Sequence, residues 1–174
     1  MDEAVRLALA KWPNVPACTG WLRLSRRGEW RVPEGPIRHA GITAFIGRNY
    51  LATADGRWYV QNGPQQVFVD LDYTPVVVRL ATPDTLHTHT DQAVNRLDGA
   101  WLDEEGNLLL HSEHGIALLD DRDLASFIER LEGDPTDADC PLNLHWGGLA
   151  LPVAPIARQD VAARFGFVPQ PKLP

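Results

Sequence analysis

The chain has 174 residues, is 44% hydrophobic and 22% charged, and carries a formal net charge of −7, which excludes an intrinsically disordered chain. No apolar run reaches the roughly 18 residues of a membrane span. Arg6 and Lys11 interrupt the N-terminal apolar stretch, so it is not a signal peptide. We therefore predict a cytoplasmic protein that forms one globular unit over 1–174 and has no membrane partner.

Two short helices and a hairpin are predicted in the first fifty residues. Apolar residues recur with the period of an amphipathic helix at 2–12, where Asp2 is placed to cap the first turn. The segments 21–24 and 30–32 flank a turn and predict a hairpin. A second helix is predicted over 37–49. Its inner face is predicted to carry Ile42, Phe45, Ile46 and Asn49.

Strands are predicted along the middle of the chain. Segments 57–60 and 66–71 form a hairpin, and we expect a connection of four or five residues because Pro64 cannot donate the N–H that a type I′ turn needs. The apolar run 76–80 predicts a strand that is buried on both faces. Further strands are predicted at 86–89, 100–102, 108–111, 116–119 and 149–151.

The C-terminal third predicts two more helical segments. One begins at Asp120 or Asp121 and continues to Leu131, and another covers 156–165. The proline-spaced tail from Pro169 is expected to fray. The buried face of the first of these helices is predicted to carry Leu124, Phe127, Ile128 and Leu131.

These elements predict an α+β fold with a mainly antiparallel sheet built from hairpins and two or three short helices packed on it. A hairpin followed by a helix occurs twice, from Gly28 and again from Gly106. This order favours two lobes at 17–82 and 83–150, followed by a C-terminal extension at 151–174. An internal duplication and a chance recurrence both explain the pattern, and the sequence leaves the choice open.

Several motifs resemble those of an uncharacterised proteobacterial protein family of about this length. They are FIGRNY at 45–50, GRWYVQNGPQQV at 56–67, WPNVPAC at 12–18, HTHT at 87–90 and DDRDL at 120–124. The resemblance spans nearly the whole chain and implies a bacterial origin without implying an activity. Residues 28–80 also resemble, in pattern only, a second uncharacterised bacterial family with a two-lobed α+β fold and a suspected ligand-sensing role.

Four of the six histidines lie within 28 residues of one another in the sequence. His87 and His89 are two positions apart on a predicted strand, so their imidazoles face the same side. His111 and His114 lie on or beside a neighbouring strand, and Glu113 lies between them. Imidazoles in this arrangement are typical ligands of a divalent transition metal, although the spacing matches no named motif.

A second group of polar residues follows the predicted helix at 37–49. It consists of Arg48, Asn49, Tyr50, Gln61 and Asn62. A guanidinium and paired amides can fix an anionic or amide-bearing ligand, or they can cap the helix and order the loop. The basic segment 1–60, with nine Lys and Arg against five acidic residues, allows the same two interpretations. The pI of about 5.3 disfavours nucleic acid as a partner.

Two functions from different classes follow from these observations. The first is a non-catalytic binding or regulatory module that recognises a small molecule or a protein and needs no cofactor. The second is a metal-dependent enzyme that uses His87, His89, His111 and His114. No nucleophile elbow or phosphate-binding loop motif is present in the sequence. Cys18 and Cys140 are predicted to be free thiols.

Overall fold

The computed structural model of the protein describes residues 1–134 and 140–172. It contains two mixed sheets and four α-helices, with 41% of the chain in strands and 20% in helices. The predicted α+β class is confirmed, and each of the four helical segments predicted along the chain contains one of the four α-helices. Most neighbouring strands of the described residues pair antiparallel, as predicted, and the parallel pairs join strands that are distant in the sequence.

The chain divides into two compact units. Unit 1 consists of Met1–Pro75 and the C-terminal segment that begins at Gly166, and unit 2 consists of Val76–Phe165. The boundary lies between residues 75 and 76, whereas the predicted lobes 17–82 and 83–150 meet at residue 82. The predicted extension 151–174 is divided between both units.

Unit 1 is a six-stranded sheet with two helices. Its elements are α1 (Glu3–Lys11), β1 (Cys18–Leu24), β2 (Trp30–Val32), β3 (Gly35–Pro36), α2 (Ala40–Arg48), β4 (Tyr50–Ala52), β5 (Trp58–Asn62) and β6 (Gln65–Leu71). The strand order is β3-β2-β1-β6-β5-β4, and β1 and β6 are parallel. Leu24 and Val69 are fully buried in its core, where their apolar side chains stabilise the sheet.

Unit 2 is a nine-stranded sheet with two helices. Its elements are β7 (Val76–Thr82), β8 (Thr85–Thr88), β9 (Ala93–Val94), β10 (Leu97–Leu102), β11 (Leu108–Ser112), β12 (Gly115–Leu119), α3 (Leu124–Ile128), β13 (Leu131–Glu132), β14 (Asn143–Trp146), β15 (Leu149–Pro155) and α4 (Arg158–Phe165). The strand order is β13-β14-β15-β10-β11-β12-β7-β8-β9. Val76, Val77 and Val78 are buried on both faces as predicted, whereas Arg79 is exposed and Leu80 is half-buried, so the burial predicted for 76–80 covers only the first three residues.

Six strands of each unit share one topology. The order β3-β2-β1-β6-β5-β4 of unit 1 recurs in unit 2 as β9-β8-β7-β12-β11-β10, and the central pair is parallel in both. Every residue pair between β4, β5 and β6 recurs between β10, β11 and β12 with both residue numbers raised by fifty, so there is no insertion. The predicted correspondence of Gly28 with Gly106 is therefore wrong, because Gly56 occupies the equivalent position.

One type of turn connects four of the hairpins. A Ser, Thr or Asp side chain accepts a hydrogen bond from the backbone N–H four residues later, and the residue before that donor has a positive φ. The acceptors are Ser25, Thr53, Thr88 and Asp103, at 3.0, 3.0, 3.1 and 2.8 Å. The positive-φ residues are Gly28, Gly56, Asp91 and Gly106. Because Gly28 and Gly106 lie in the same kind of turn, the glycines alone could not show which hairpins correspond.

The structure corrects three local predictions. Asn62 pairs with Gln65, so the connection between β5 and β6 has two residues and not four or five. The predicted helix to Leu131 ends at Ile128, and Leu131 pairs with Leu144 in a sheet. The tail does not fray at Pro169, where fraying was expected to begin, because the Pro169 carbonyl accepts a hydrogen bond from the Leu71 N–H at 2.8 Å, and residues 173–174 of the tail lie outside the described residues.

Within the described residues, Cys18 and Cys140 are free thiols, as predicted. None of the helices in this part of the chain is long and apolar enough to cross a membrane.

Candidate functional site

Arg48 and Asn49 hold the first helix. The guanidinium of Arg48 forms an ion pair with Asp2, with 3.0 Å between Nε and Oδ1. Asn49 is fully buried, accepts a hydrogen bond from the Asp2 N–H at 2.7 Å and donates to the Phe45 carbonyl at 2.9 Å. The side chain of Asp2 does not cap its own helix, contrary to the prediction, and only its backbone carbonyl accepts a hydrogen bond there, from the Arg6 N–H. Arg48 and Asn49, two of the predicted ligand-binding residues, therefore anchor the start of α1 through Asp2.

The other three predicted ligand-binding residues differ in their contacts and exposure. Tyr50 packs edge-on against Trp30 and donates to the Pro75 carbonyl at 2.9 Å. Gln61 is fully buried and donates to the Gly63 carbonyl, whereas Asn62 is exposed at the end of β5. Among the described residues, Oε1 of Gln61 has no hydrogen-bond partner. The ligand-binding role of the five residues stays a prediction.

The four histidines contact different partners. Nδ1 of His89 accepts a hydrogen bond from the Val77 N–H at 3.2 Å, and His111 stacks on Phe165. His114 contacts the Ala93 carbonyl at 2.8 Å, and His87 lies opposite Arg79 in the ladder. No group of three or more His, Cys, Asp or Glu side chains in residues 1–134 and 140–172 is arranged to hold a metal ion. The metal-dependent function consequently stays a prediction without an assembled ligand set.

A groove in unit 1 brings together residues that were not predicted to form a site. Its walls include Trp21, Arg23, Arg31, Pro33, Gly35 and Asp70, and its volume is about 360 Å³. We call it the arginine groove. This volume lies within the range of small-molecule sites, roughly 300–1,000 Å³.

Strand pairing places two arginine residues directly opposite each other in the wall of the arginine groove. Arg23 on β1 lies directly opposite Arg31 on β2, and Asp70 on β6 is the next residue across the sheet from Arg23. Directly paired residues point to the same face, and like charges in such a pair are destabilising. The side chains of Arg23 and Arg31 are 55% and 41% exposed, so they can reach a molecule in the groove.

The carboxylates around this pair leave both arginines accessible. Arg23 lies 3.4 Å from Asp72, and Arg31 lies 3.3 Å from Glu29. Exposed ion pairs of this kind contribute little stability, so a better-placed anion can replace them. Burial raises the pKa of Asp70, while the Arg23 charge lowers it and the Asp72 charge raises it further.

The equivalent position in unit 2 already binds a carboxylate. The shared topology matches Arg23 with Arg79, and Arg79 lies opposite His87 as Arg23 lies opposite Arg31. Asp91, at a φ of 60° in the turn after β8, contacts Arg79 with 2.9 Å between Oδ1 and Nη2. The same sheet position thus contacts a carboxylate of its own chain in both units, at 2.9 Å from Asp91 in unit 2 and at 3.4 Å from Asp72 in unit 1, where it also lines a groove.

The sequence did contain a signal for the arginine pair. The turn from Ser25 to Glu29 fixes the register of its hairpin, and that register places Arg23 opposite Arg31. The parallel neighbour β6 carries no such local signal, so the position of Asp70 depends on a long-range pairing.

The comparisons with known proteins identify the family. The model of the family DUF2944, described as "Protein of unknown function (DUF2946)", matches residues 1–172. The chain belongs to this family. The predicted membership of an uncharacterised family is confirmed, and membership assigns no activity. No curated protein matches the chain.

Two solved structures are similar to this member of the family. A DUF1285 family protein from Silicibacter pomeroyi DSS-3 has a TM-score of 0.57 and 18% identity, with 84% of this chain and 86% of that chain covered. A DUF1285 family protein from Shewanella baltica OS155 has a TM-score of 0.48 and 14% identity, with coverage of 63% and 91%. The first similarity concerns the fold alone.

Proposed function

We propose that the chain is a non-catalytic binding module for a small anionic ligand and that the arginine groove is its binding site. The observation that carries the proposal is the direct cross-strand pairing of Arg23 and Arg31 in the wall of a cavity of about 360 Å³. An anion bound between the two guanidinium groups would offset their repulsion and accept charge-assisted hydrogen bonds from both.

Three further features support this ligand class. Each guanidinium presents a planar fork of donors that matches a carboxylate or phosphate. The ion pairs of the two arginines with Asp72 and Glu29 are long, at 3.4 and 3.3 Å, and the side chains of Asp72 and Glu29 are 32% and 55% exposed. In unit 2, Arg79 at the equivalent position contacts the carboxylate of Asp91, so this position of the sheet accommodates an anion.

Titration calorimetry of the full chain with citrate, inorganic phosphate and sulfate tests the proposal. We expect at least one of these anions to bind, and we expect Arg23→Gln and Arg31→Gln each to weaken binding by about tenfold, equivalent to about 1.4 kcal/mol. Arg96→Gln is the matched control, because it removes the same charge from an exposed ion pair with Asp98 in unit 2. The absence of binding at millimolar anion, or an equal loss in the control, would reject the arginine groove.

A further inference from the structure

We infer that the anionic ligand carries a planar aromatic ring and that this ring stacks on Trp21. The inference rests on the proposed function, because it assigns the ligand class of the same arginine groove. Trp21 is 61% exposed and lines this groove together with Arg23. The two residues are two positions apart on β1, so both side chains project from the same face of the strand.

Trp21 contributes nothing to the core of unit 1. Its neighbour Leu22 is 6% exposed and Leu24 is fully buried, so the buried face of β1 is the opposite one. An indole is a large apolar surface, and covering it with a flat partner removes that surface from water and is favourable. Trp21 keeps most of this surface available because it is not used in the core.

The other five tryptophans all have an aromatic or cationic neighbour. Trp30 and Trp58 pack on Tyr50, Trp101 on Phe165 and Trp146 on Phe127, and Lys11 lies over Trp12. Within the described part of the chain, no ring or cation contact is formed by Trp21. Its ring face is available to a molecule in the groove.

The backbone beside Trp21 leaves the groove open. Gly20 has a φ of 76°, and the register of β1 against β6 is irregular between Cys18 and Leu22. Gly35 on the other wall has a φ of 137°. A Cβ at either glycine would meet no atom within 4 Å. The irregularity of β1 therefore lies directly beside Trp21, and the space next to both glycines in the groove lining is open.

The arrangement thus provides two recognition elements for one ligand. The guanidinium groups of Arg23 and Arg31 fix an anionic group, and the indole of Trp21 offers a flat surface beside them. A nucleoside monophosphate and an aromatic carboxylate share this chemistry. A compact inorganic anion would use only the arginines, so the ring should increase affinity.

Calorimetry with paired ligands tests this inference on the full chain. Adenosine 5′-monophosphate is compared with ribose 5-phosphate, which has the same phosphate without the ring, and benzoate is compared with acetate. We expect the ring to increase affinity about tenfold in at least one pair. An advantage in the phosphate pair alone assigns a nucleotide-like ligand, and an advantage in both pairs assigns aromatic anions in general.

Variants separate the two recognition elements. Trp21→Leu should abolish the ring advantage and leave ribose 5-phosphate binding unchanged, whereas Arg23→Gln should weaken every ligand. Trp12→Leu removes another exposed indole, 51% exposed, and should change nothing. Equal binding with and without the ring, or a ring advantage that survives in Trp21→Leu, would overturn the inference while the anion site stands. If no anion binds at all, the proposed function fails with it.

Discussion

At the scale of single residues, His89 illustrates how a backbone contact can fix the charge of an imidazole. Its Nδ1 accepts a hydrogen bond from the Val77 N–H at 3.2 Å, and the backbone N–H of His89 donates to the Val77 carbonyl at 2.7 Å. Burial lowers the pKa of His89 to about 3. A protonated Nδ1 could no longer accept the Val77 N–H, so the folded chain keeps this ring neutral.

The burial of His89 predicts a loss of stability in mild acid. The pKa of His89 is lower in the folded state than the ordinary value of about 6.5, so the unfolded chain binds the proton more tightly. The stabilisation that comes from keeping His89 neutral is complete above pH 6.5, and it is lost progressively as the pH falls below 6.5 toward the folded-state pKa. Linkage gives a loss of about 2 kcal/mol between pH 7 and pH 5 from this residue. Urea unfolding at the two pH values measures it.

A matched pair of variants assigns the effect to His89. His89→Asn keeps an acceptor for the Val77 N–H and removes the titration, so its stability should depend less on pH over the same interval. His145→Asn removes a histidine whose side chain is 51% exposed, and it should retain the wild-type pH dependence. The same pH dependence in wild type and His89→Asn would show that another group is responsible.

Asp70 predicts how pH changes anion binding in the arginine groove. Its ionised carboxylate lies beside Arg23 and opposes a bound anion, and burial raises its pKa. As pH falls through that raised pKa, Asp70 becomes neutral and sulfate, which stays fully charged, should bind more tightly. Asp70→Asn should increase sulfate affinity about two- to fivefold at neutral pH. It should also weaken the pH dependence in calorimetry, and reduced affinity in Asp70→Asn would contradict this role.

At the scale of secondary structure, the repeated hairpin turn offers an internal comparison. Gly56 and Gly106 occupy the same position of the turn, with φ values of 82° and 81°. A Cβ at Gly106 would meet no atom within 4 Å, whereas a Cβ at Gly56 would lie 2.1 Å from the Gly166 carbonyl oxygen. The two positions therefore share the backbone strain of a substitution and differ in its steric cost.

The comparison predicts unequal effects of the same substitution. Gly106→Ala should cost about 1–2 kcal/mol, the strain of alanine in the left-handed region. Gly56→Ala should cost clearly more, because the backbone at Gly166 must also move. Guanidinium unfolding monitored by circular dichroism gives both values. Equal values would show that the chain relaxes around the methyl group at no cost.

These turns also explain which elements could be predicted from the sequence. The hairpin of β10 and β11 was predicted correctly, because Asp103 and Gly106 provide both the side-chain acceptor and the positive φ. The two-residue connection between Asn62 and Gln65 was missed. The turn has Gly63 and Pro64 as its two central residues. Gly63 has a φ of 56°, as the first central residue of a type II′ turn requires, and the second central position of such a turn has the negative φ that proline adopts.

Long-range pairing accounts for the remaining errors. Leu131 continues the helical spacing of the sequence before it, yet it joins Leu144 in a sheet. Leu131 becomes part of a strand because β14 is available to pair with it, and the sequence around Leu131 does not indicate that distant partner. The arginine groove has the same origin, because Arg23 meets Asp70 only through the parallel pairing of β1 with β6. Tertiary context overrides local propensity at such positions.

At the scale of the whole molecule, the recurrence of one six-stranded topology makes the two units comparable position by position. The fifty-residue offset between β4–β6 and β10–β12 keeps every strand partner in register, although few residue identities remain. Equivalent positions have acquired different contacts, as Arg23 and Arg79 show. An internal duplication explains the common register more simply than chance, because unrelated hairpins need not share loop lengths.

The C-terminal segment completes unit 1 from the far end of the chain. The Val168 N–H donates to the Gly56 carbonyl at 2.9 Å, and the Pro169 carbonyl accepts from the Leu71 N–H at 2.8 Å. Phe167 is only 7% exposed. Unit 1 is thus assembled from both ends of the sequence, and its stability should depend on residues that follow the whole of unit 2.

This dependence gives the last prediction. Phe167→Ala should destabilise the chain by about 3 kcal/mol, because it removes a buried aromatic ring. A chain that ends at Phe165 should lose more, since the two backbone hydrogen bonds with Gly56 and Leu71 disappear as well. A chain that ends at Lys172 keeps all of these contacts and serves as the control. Urea unfolding should rank the stabilities as control, then Phe167→Ala, then the chain ending at Phe165. If the chain ending at Phe165 unfolded at the same urea concentration as the control, the C-terminal segment would not be part of the cooperative structure of unit 1.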